Sequence, residues 1–361
     1  MIFDKLITYI VRSRTALIVV FVLASCSCTV VGPQSITAGR GTYTEVINRT
    51  QDEQTLNMLV RLRYDETFGM MSVASVTSNL RFRSEAATNI GIGDSDNYAG
   101  NLVPLSAGVA YEENPTISYV PLSGEDFTRR MLSPVSPNEW LLLGTGTRHP
   151  GEIFALAVRR VNGLHNQLLD DEPTSPSFGR FIELYDQLRL AGVLEVVASS
   201  DSNIDPEYIW DIHNYQEAHG DSVRELLGLI GIEVKIDGSP ILLPLRLAVG
   251  SSTSAVHLQT RSAFNVLHVF GAGIEIPSAH LEAGIVEPRG AAGMQFITIR
   301  SSKNYPENAT VRIRFRDHWF YIDATDASSK RAFLFLQTFI GMRLADPAAA
   351  HKAPVITVPV N

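Results

Sequence analysis

The chain has 361 residues, 19% charged and 45% hydrophobic, with a formal net charge of −8 and cysteine only at positions 26 and 28. This suits one large domain or two smaller ones and argues against global disorder. An acidic balance argues against wholesale binding to nucleic acid or anionic headgroups, and the cysteine-free body can hold neither a disulfide nor a thiolate metal site.

The N-terminal residues 1–14 carry Lys5, Arg12 and Arg14 against Asp4, and residues 15–24 (TALIVVFVLA) are apolar. That stretch is shorter than the roughly 20 residues of an ordinary spanning helix and suits a signal-peptide core of about 7–15. It ends in Leu23-Ala24-Ser25-Cys26, which resembles the lipobox of bacterial lipoproteins. The resemblance implies cleavage before Cys26, a diacylglycerol on its sulfur and a further acyl chain on the freed amine. Several chains anchor stably where one is marginal, since each buried CH₂ contributes about 0.8 kcal/mol. Cys28 is preceded by Ser25-Cys26-Ser27, a poorer match, so the lipid is assigned to Cys26. An uncleaved anchor helix from Ala16 to about Val31 is the competing reading, and a Cys-x-Cys metal or redox fragment is a weaker one. Ser27 rather than Asp follows the lipid site; by the same resemblance this favours the outer membrane, periplasmic face, with the inner membrane as the alternative.

Residues 26–40 read as a lipidated tether. From Thr42 to about Arg63 apolar residues recur at spacings of three and four, interrupted by the polar run Asn48–Gln54, so one long helix or two short ones fit. Three strands follow: Ser72–Arg83, then Leu102–Tyr111 and Thr116–Pro121 about a turn Glu112-Glu113-Asn114-Pro115, giving a small meander. A glycine-rich loop, 89–101, separates the first two. Gly124–Leu132 and Pro137–Leu143 read as short helices broken by Pro134. Gly151–Leu169 reads as a longer one, with Ile153, Leu156, Ala157, Val161 and Leu164 on one stripe and Arg159 and Arg160 outside it. Ser177–Leu190 repeats the pattern, Gly192 ends it, and Val193–Ala198 reads as a strand.

The rest alternates: a helix at Ser222–Leu229, an extended stretch Ile232–Ile236 with an Asp237-Gly238 turn, an apolar run Ile241–Val249 and a buried helix Ser262–Phe270. Residues 271–293 read as a surface loop. Strands at Phe296–Arg300, Thr310–Phe315 and Trp319–Ile322 follow, the last two joined by the turn Arg316-Asp317-His318, and Asp326 caps a last helix through Met342. The expected fold is α+β: an N-terminal helix and β-meander over 41–145, a mixed C-terminal region over 146–346, and a mobile tail, 347–361.

The chemistry-bearing patterns are thin. Gly-x-Ser-x-Gly and His-Glu-x-x-His are absent. His213 and His219 flank Glu217, but a six-residue separation does not share a helical face. Asp94–Gly100 opens like a calcium loop yet has Tyr98 at the fifth position and Ala99 where the turn needs glycine. Gly144-Thr145-Gly146 and Gly271-Ala272-Gly273 lack the rest of a dinucleotide fingerprint. Glu112-Glu113 reads as a charged hairpin tip, since neighbours on a strand face opposite ways. His318-Trp319 reads as hairpin packing before sugar stacking, and Arg129-Arg130 and Arg159-Arg160 as solvated helix faces. No cofactor, metal or nucleic acid is expected, and no catalytic residue is assigned.

Four segments, Leu59-Val60-Arg61-Leu62-Arg63-Tyr64, Tyr111-Glu112-Glu113-Asn114-Pro115-Thr116, Pro121-Leu122-Ser123-Gly124-Glu125 and Trp319-Phe320-Tyr321-Ile322-Asp323 followed by Ser329-Lys330, together resemble an uncharacterised family of predicted lipoproteins of Gram-negative bacteria. The resemblance spans most of the mature chain and implies the compartment, with no activity to carry over. The expectation is a non-enzymatic envelope lipoprotein, held to the membrane by lipid on Cys26, that binds an envelope protein partner or helps assemble a complex. Two alternatives stand beside it: a hydrolase of peptidoglycan or polysaccharide with two carboxylates about 5–9.5 Å apart, and a ligand-binding lipoprotein with an apolar pocket.

Overall fold

The structure is a computed structural model that describes residues 31–88, 105–147, 149–168, 175–199, 207–215, 218–288 and 295–344. The expected signal peptide, Cys26, Cys28, the expected loop 89–101 with its calcium-like segment, Glu217 and the tail 347–361 lie outside the described residues. The fold is α+β. Contacts divide the chain into two units, residues 1–54 and 55–361.

Helix α1 is continuous over Val31–Arg63, so residues 31–40 of the expected tether are helical and the polar run does not break the helix. That run holds neither Pro nor Gly, and the Thr50 hydroxyl donates to the Ile47 carbonyl at 2.9 Å within the helix. In the second unit the last turns of α1 bury Leu56, Met58, Leu59, Val60 and Leu62.

Strands β1 (Met70–Thr88) and β2 (Leu105–Leu122) pair antiparallel as a two-stranded sheet. The expected turn at Glu112–Pro115 is not there: β2 runs straight through it, opposite Ser78–Arg81 of β1. The ladder places Glu112 across from Arg81, an opposite-charge register, and Pro115 is tolerable because β2 is an edge strand.

Helices α2 (Glu125–Leu132) and α3 (Pro137–Thr145) form as the pattern predicts. Ser136 starts α3 with a reciprocal cap: Glu139 N–H donates to Ser136 Oγ, and the Ser136 N–H donates to Glu139 Oε2 at 2.7 Å. The expected helix 151–169 is corrected. Helix α4 covers only Pro150–Ala157; β3 (Val158–Val161) and β4 (Leu164–His165) follow as a hairpin, so Arg159 and Arg160 lie on a strand. Val158 and Val161, three apart, fit a helical stripe and not the period of a regular strand. A register shift between Val158 and Arg160 sets them opposite Thr260 and Leu258, so both are buried, and the Asn162-Gly163 turn decides for strands, with Asn162 at φ 46°. Arg261 locks the break. Its buried guanidinium donates to the carbonyls of Ala155 (2.8 Å), Leu156 (3.3 Å), Val158 (2.8 Å) and Asn166 (3.0 Å), acceptors that a helix end leaves open.

Helix α5 (Pro176–Leu190) and β5 (Leu194–Ser199) match expectation, with Gly192 at φ 66° between them. Next come β6 (Glu207–Ile212), α6 (Gly220–Leu229), β7 (Ile241–Leu247) and β8 (Val256–Thr260). β6 and β8 escape the sequence pattern. The expected extended stretch Ile232–Ile236 joins no ladder, although Ile232 is buried. The six-stranded sheet runs β4-β3-β8-β7-β6-β5, antiparallel except for the β7–β8 pair. Aromatic rings fill its helix-covered side: Trp210 of β6 has its ring centroid 5.8 Å from Tyr185 of α5 and 6.4 Å from Phe154 of α4.

After α7 (Ala263–Gly271), the expected surface loop instead contains α8 (Ser278–Glu282) and buries Ile274, His280 and Val286. The strand expected at Phe296–Arg300 is displaced to β9 (Arg300–Ser302), with Ile299 bridging Ile274 in parallel. β10 (Ala309–Phe315) and β11 (His318–Asp323) form the predicted hairpin, and the second small sheet runs β10-β11-β9. Its turn places Arg316 at φ 45° and Asp317 at φ 62°. Helix α9 (Ala327–Leu344) closes the described chain, with Asp326 Oδ1 accepting the Ser329 N–H at 3.0 Å as its cap.

Candidate functional site

Two places in the second unit gather features that a plain scaffold does not need. The first is the β1–β2 ribbon. An isolated two-stranded hairpin is marginal in water and presents a row of unpaired N–H and C=O groups on each outer edge. At 19 and 18 residues these strands are about three times the common strand length of 5–6. Each strand alternates in character. In β2 the odd positions hold Leu105, Ala107, Val109, Tyr111, Glu113, Pro115, Ile117 and Tyr119. The register sets them opposite Thr88, Ala86, Ser84, Phe82, Leu80, Ser78, Val76 and Val73. The other row pairs Arg81 with Glu112, Arg83 with Ala110, Glu85 with Gly108, Asn79 with Asn114 and Thr77 with Thr116. One row is therefore largely apolar and the other polar and charged. At the base, where the ribbon joins the core through buried Met70, Met71 and Tyr119 of the apolar row are 54% and 51% exposed. Val120 of the other row is 45% exposed, so neither face is covered there.

The second place is a buried cluster at the end of α1. The Tyr64 hydroxyl lies 2.7 Å from His280 Nδ1, and the His280 and His318 rings meet edge-on at 4.7 Å. Phe315 and Phe320 flank Tyr64 at 5.0 and 6.1 Å. Burial pushes the Tyr64 phenol up to about 12 against the lowering influence of Arg63 and Arg316. Burial, then the charges of His318 and Arg316, hold His280 below the usual imidazole value. Glu66 ties the rim, accepting from Arg316 at 2.6 Å and from Arg61 at 3.1 Å. A buried phenol and a buried imidazole join the end of α1, α8 and the β10–β11 hairpin, and the arrangement works as a latch between them. Two of the four segments that carry the family resemblance, those at Tyr64 and Trp319, meet here.

The other sequence candidates disperse. His213 follows β6 and lies 3.4 Å from Asp211, whereas His219 precedes α6. Gly144-Thr145-Gly146 is the C-terminal end of α3. Gly271-Ala272-Gly273 ends α7, where Gly273 meets the backbone of Ile297. Glu112 and Glu113 sit mid-strand in different rows. Trp319 is half-buried, its ring edge-on to Tyr305 at 5.0 Å, and Arg312 covers Tyr305 at 4.4 Å. Arg129 pairs with Glu125 at 2.6 Å on the exposed face of α2, and Arg160 contacts His165 across the β3–β4 turn. A shallow surface depression on α2 is lined by Glu125, Thr128, Arg129, Leu132 and Ser133 and so brings one carboxylate, not two. Among the described residues no group of three or more His, Cys, Asp or Glu side chains is placed to hold a metal ion. No described helix is long and apolar enough to cross a membrane.

No protein-family model, curated protein or solved structure matches this chain.

Proposed function

We propose that the protein is an envelope lipoprotein, anchored through lipid on Cys26 to the outer membrane at its periplasmic face, and that it works as a non-enzymatic component of an assembly. The observation that carries the assembly role is the β1–β2 ribbon, whose outer edges pair with no other described strand. Long open edges are templates for further strands, and proteins that do not use them shorten, cover, charge or bulge them. This ribbon is neither short nor paired with a further described strand, and it bulges once, near its base, between Val73 and Ser75. The leader and the Leu23-Ala24-Ser25-Cys26 segment support the anchor. The resemblance to predicted Gram-negative lipoproteins supports the compartment.

Palmitate labelling of the wild type and of Cys26→Ala in the native host, followed by membrane fractionation, tests the anchor. Label on the wild type alone, in the outer-membrane fraction, is expected. Label that survives the substitution would move the anchor to Cys28, and no label would leave a plain leader. For the assembly role, a photo-crosslinking residue placed on the ribbon should capture protein; capture of nothing would remove it.

A further inference from the structure

We propose that copies of this chain join ribbon to ribbon, β2 of one beside β1 of the next, and close a transmembrane β-barrel to which each copy contributes one hairpin. The inference rests on the assembly reading above and names the partner as a second copy.

Three observations select that partner. The first is length. Distal to Pro115 the ribbon keeps about ten residues on each strand, 79–88 and 105–114, and a tilted strand of about 9–11 residues crosses a bilayer. A partner must offer an edge of that length, and another copy does so by construction. The second is charge. Residues 79–88 of β1 carry Arg81, Arg83 and Glu85, and residues 105–114 of β2 carry Glu112 and Glu113. Setting β2 beside the next β1 repeats the opposite-sign adjacency already present inside the hairpin. Pairing like strand with like would set the basic strand against itself or the acidic strand against itself. The third is the alternation of the two rows. Over 79–88 and 105–114 the apolar row holds Leu80, Phe82, Ala86, Leu105, Ala107, Val109 and Tyr111 beside Ser84 and Thr88, with Glu113 at its end nearest the core. An apolar-out, polar-in period of two, with aromatic residues towards one end, is the pattern of membrane barrels.

Order and direction also close. Within a copy the strands are antiparallel, so β1, β2, the next β1 and the next β2 alternate up and down. That contact is heterologous, and a heterologous contact either closes a ring or grows without limit. Closure leaves no edge, which hydrocarbon requires because it cannot satisfy an unpaired backbone group. Each copy adds two strands, so the barrel has an even number, and the smallest barrels of about eight strands would take about four copies. The row with Arg81, Arg83, Glu85 and Glu112 would line the interior.

The test uses the full lipidated chain. Photo-crosslinking residues replace Arg83 or Ala110, one on each strand, and envelopes are irradiated in the native host. Self-adducts forming a ladder at integral multiples of the chain mass support the proposal. Adducts with a different protein overturn it while leaving the assembly reading, and no adducts overturn both. Purified protein in planar bilayers should give discrete conductance steps, and Ser106→Glu, on the polar row but outside the charged positions that select the pairing, should shift the reversal potential towards cation selectivity with the ladder intact. Self-adducts without conductance, from a ribbon that protease digests in intact vesicles, would overturn the membrane barrel.

Discussion

An ideal Cβ built on Gly273 would lie 1.9 Å from the carbonyl oxygen of Ile297. The close approach lets two backbone bonds form, from the Ile299 N–H to the Gly273 carbonyl at 2.9 Å and from the Glu275 N–H to the Ile299 carbonyl at 2.8 Å. They pull the segment after α7 into a parallel bridge with the approach to β9. Gly273→Ala must push these strands apart, and overpacking at a rigid backbone costs about 3 kcal/mol. Denaturant unfolding should show a lowered midpoint; an unchanged midpoint would mean that the segment is looser than its geometry.

Arg261 is the second test. Replacement by Leu leaves the buried Asn166 carbonyl without its donor, while those of Ala155 and Val158 keep Asn166 Nδ2 at 2.6 and 2.7 Å. One unsatisfied buried acceptor costs about 1–3 kcal/mol, and the lost bonds to a charged donor add to it. A loss of roughly 3 kcal/mol is expected. Lys at the same position should recover only part of it, because an ammonium cannot reproduce the planar fork.

The Tyr64–His280 contact gives a pH prediction. The folded-state pKa of His280 is depressed, so on acidification the unfolded chain takes up the proton first. Its stabilising contribution is complete above about pH 6.5 and is lost as pH falls below that value. His280→Gln, whose side chain keeps an acceptor for Tyr64, should flatten this part of the stability curve. Tyr64 acts at the other end: held up to about 12 when folded, it adds stability that is complete below about pH 10 and lost as pH rises above it. Denaturation midpoints across both ranges, wild type against His280→Gln and Tyr64→Phe, check each sign.

Asp326→Ala removes the α9 cap and the anchor for the Ser329 hydroxyl, which donates to Asp326 Oδ2 at 2.7 Å and accepts the Thr298 N–H at 2.8 Å. A cap loss of about 1 kcal/mol is expected. Amide exchange should speed up at Thr298 as well as in the first turn of α9, because one carboxylate orients both; acceleration confined to the helix would separate them.

The elements most legible in sequence are those whose local pattern and tertiary role agree. The α5 stripe, the Arg316–His318 turn and the Asp326 cap are of this kind. The misses lie where distant residues decide. Val158 and Val161 satisfy a helical stripe, the register shift that lets a strand bury both leaves no local trace, and Arg261, a hundred residues away, ends the helix. Asn162-Gly163 is a local turn signal strong enough to have found that hairpin. Pro115 reads as a break because a proline in a central strand would be one; the edge position that excuses it is invisible without the partner strand. Gly271–Gly273 reads as loop because the close pass of Ile297 leaves no local trace. At the ribbon, the β-branched alternation of Ser72–Arg83 and of Thr116–Pro121 shows in the sequence. That β1 runs on to Thr88, that the strands expected at Leu102–Tyr111 and Thr116–Pro121 are one, and that the pair is alone in its sheet follow only from the ladder. Tyr64, His280 and His318 are too far apart in the chain for any spacing rule to unite them.

The ribbon's ladder slips once, between Val73 and Ser75, where β1 carries a residue that β2 does not match. Beneath the slip the odd-numbered residues of β1 keep company with Tyr119 and Pro121; beyond it the even-numbered ones, Leu80 and Phe82 among them, face Glu113 and Tyr111 across the ladder. Ala74 is thus a parity switch. Deleting that one alanine would leave a plain ladder with every pair from Ser75 outward kept, whereas deleting Ser78, beyond the slip, would exchange the two rows of β1 from Asn79 outward and bring Arg81 and Arg83 into line with Glu113 and Tyr111. Beyond Ala74, changes of length on this strand are tolerable only in twos, and a single-residue indel there should be more damaging than most substitutions.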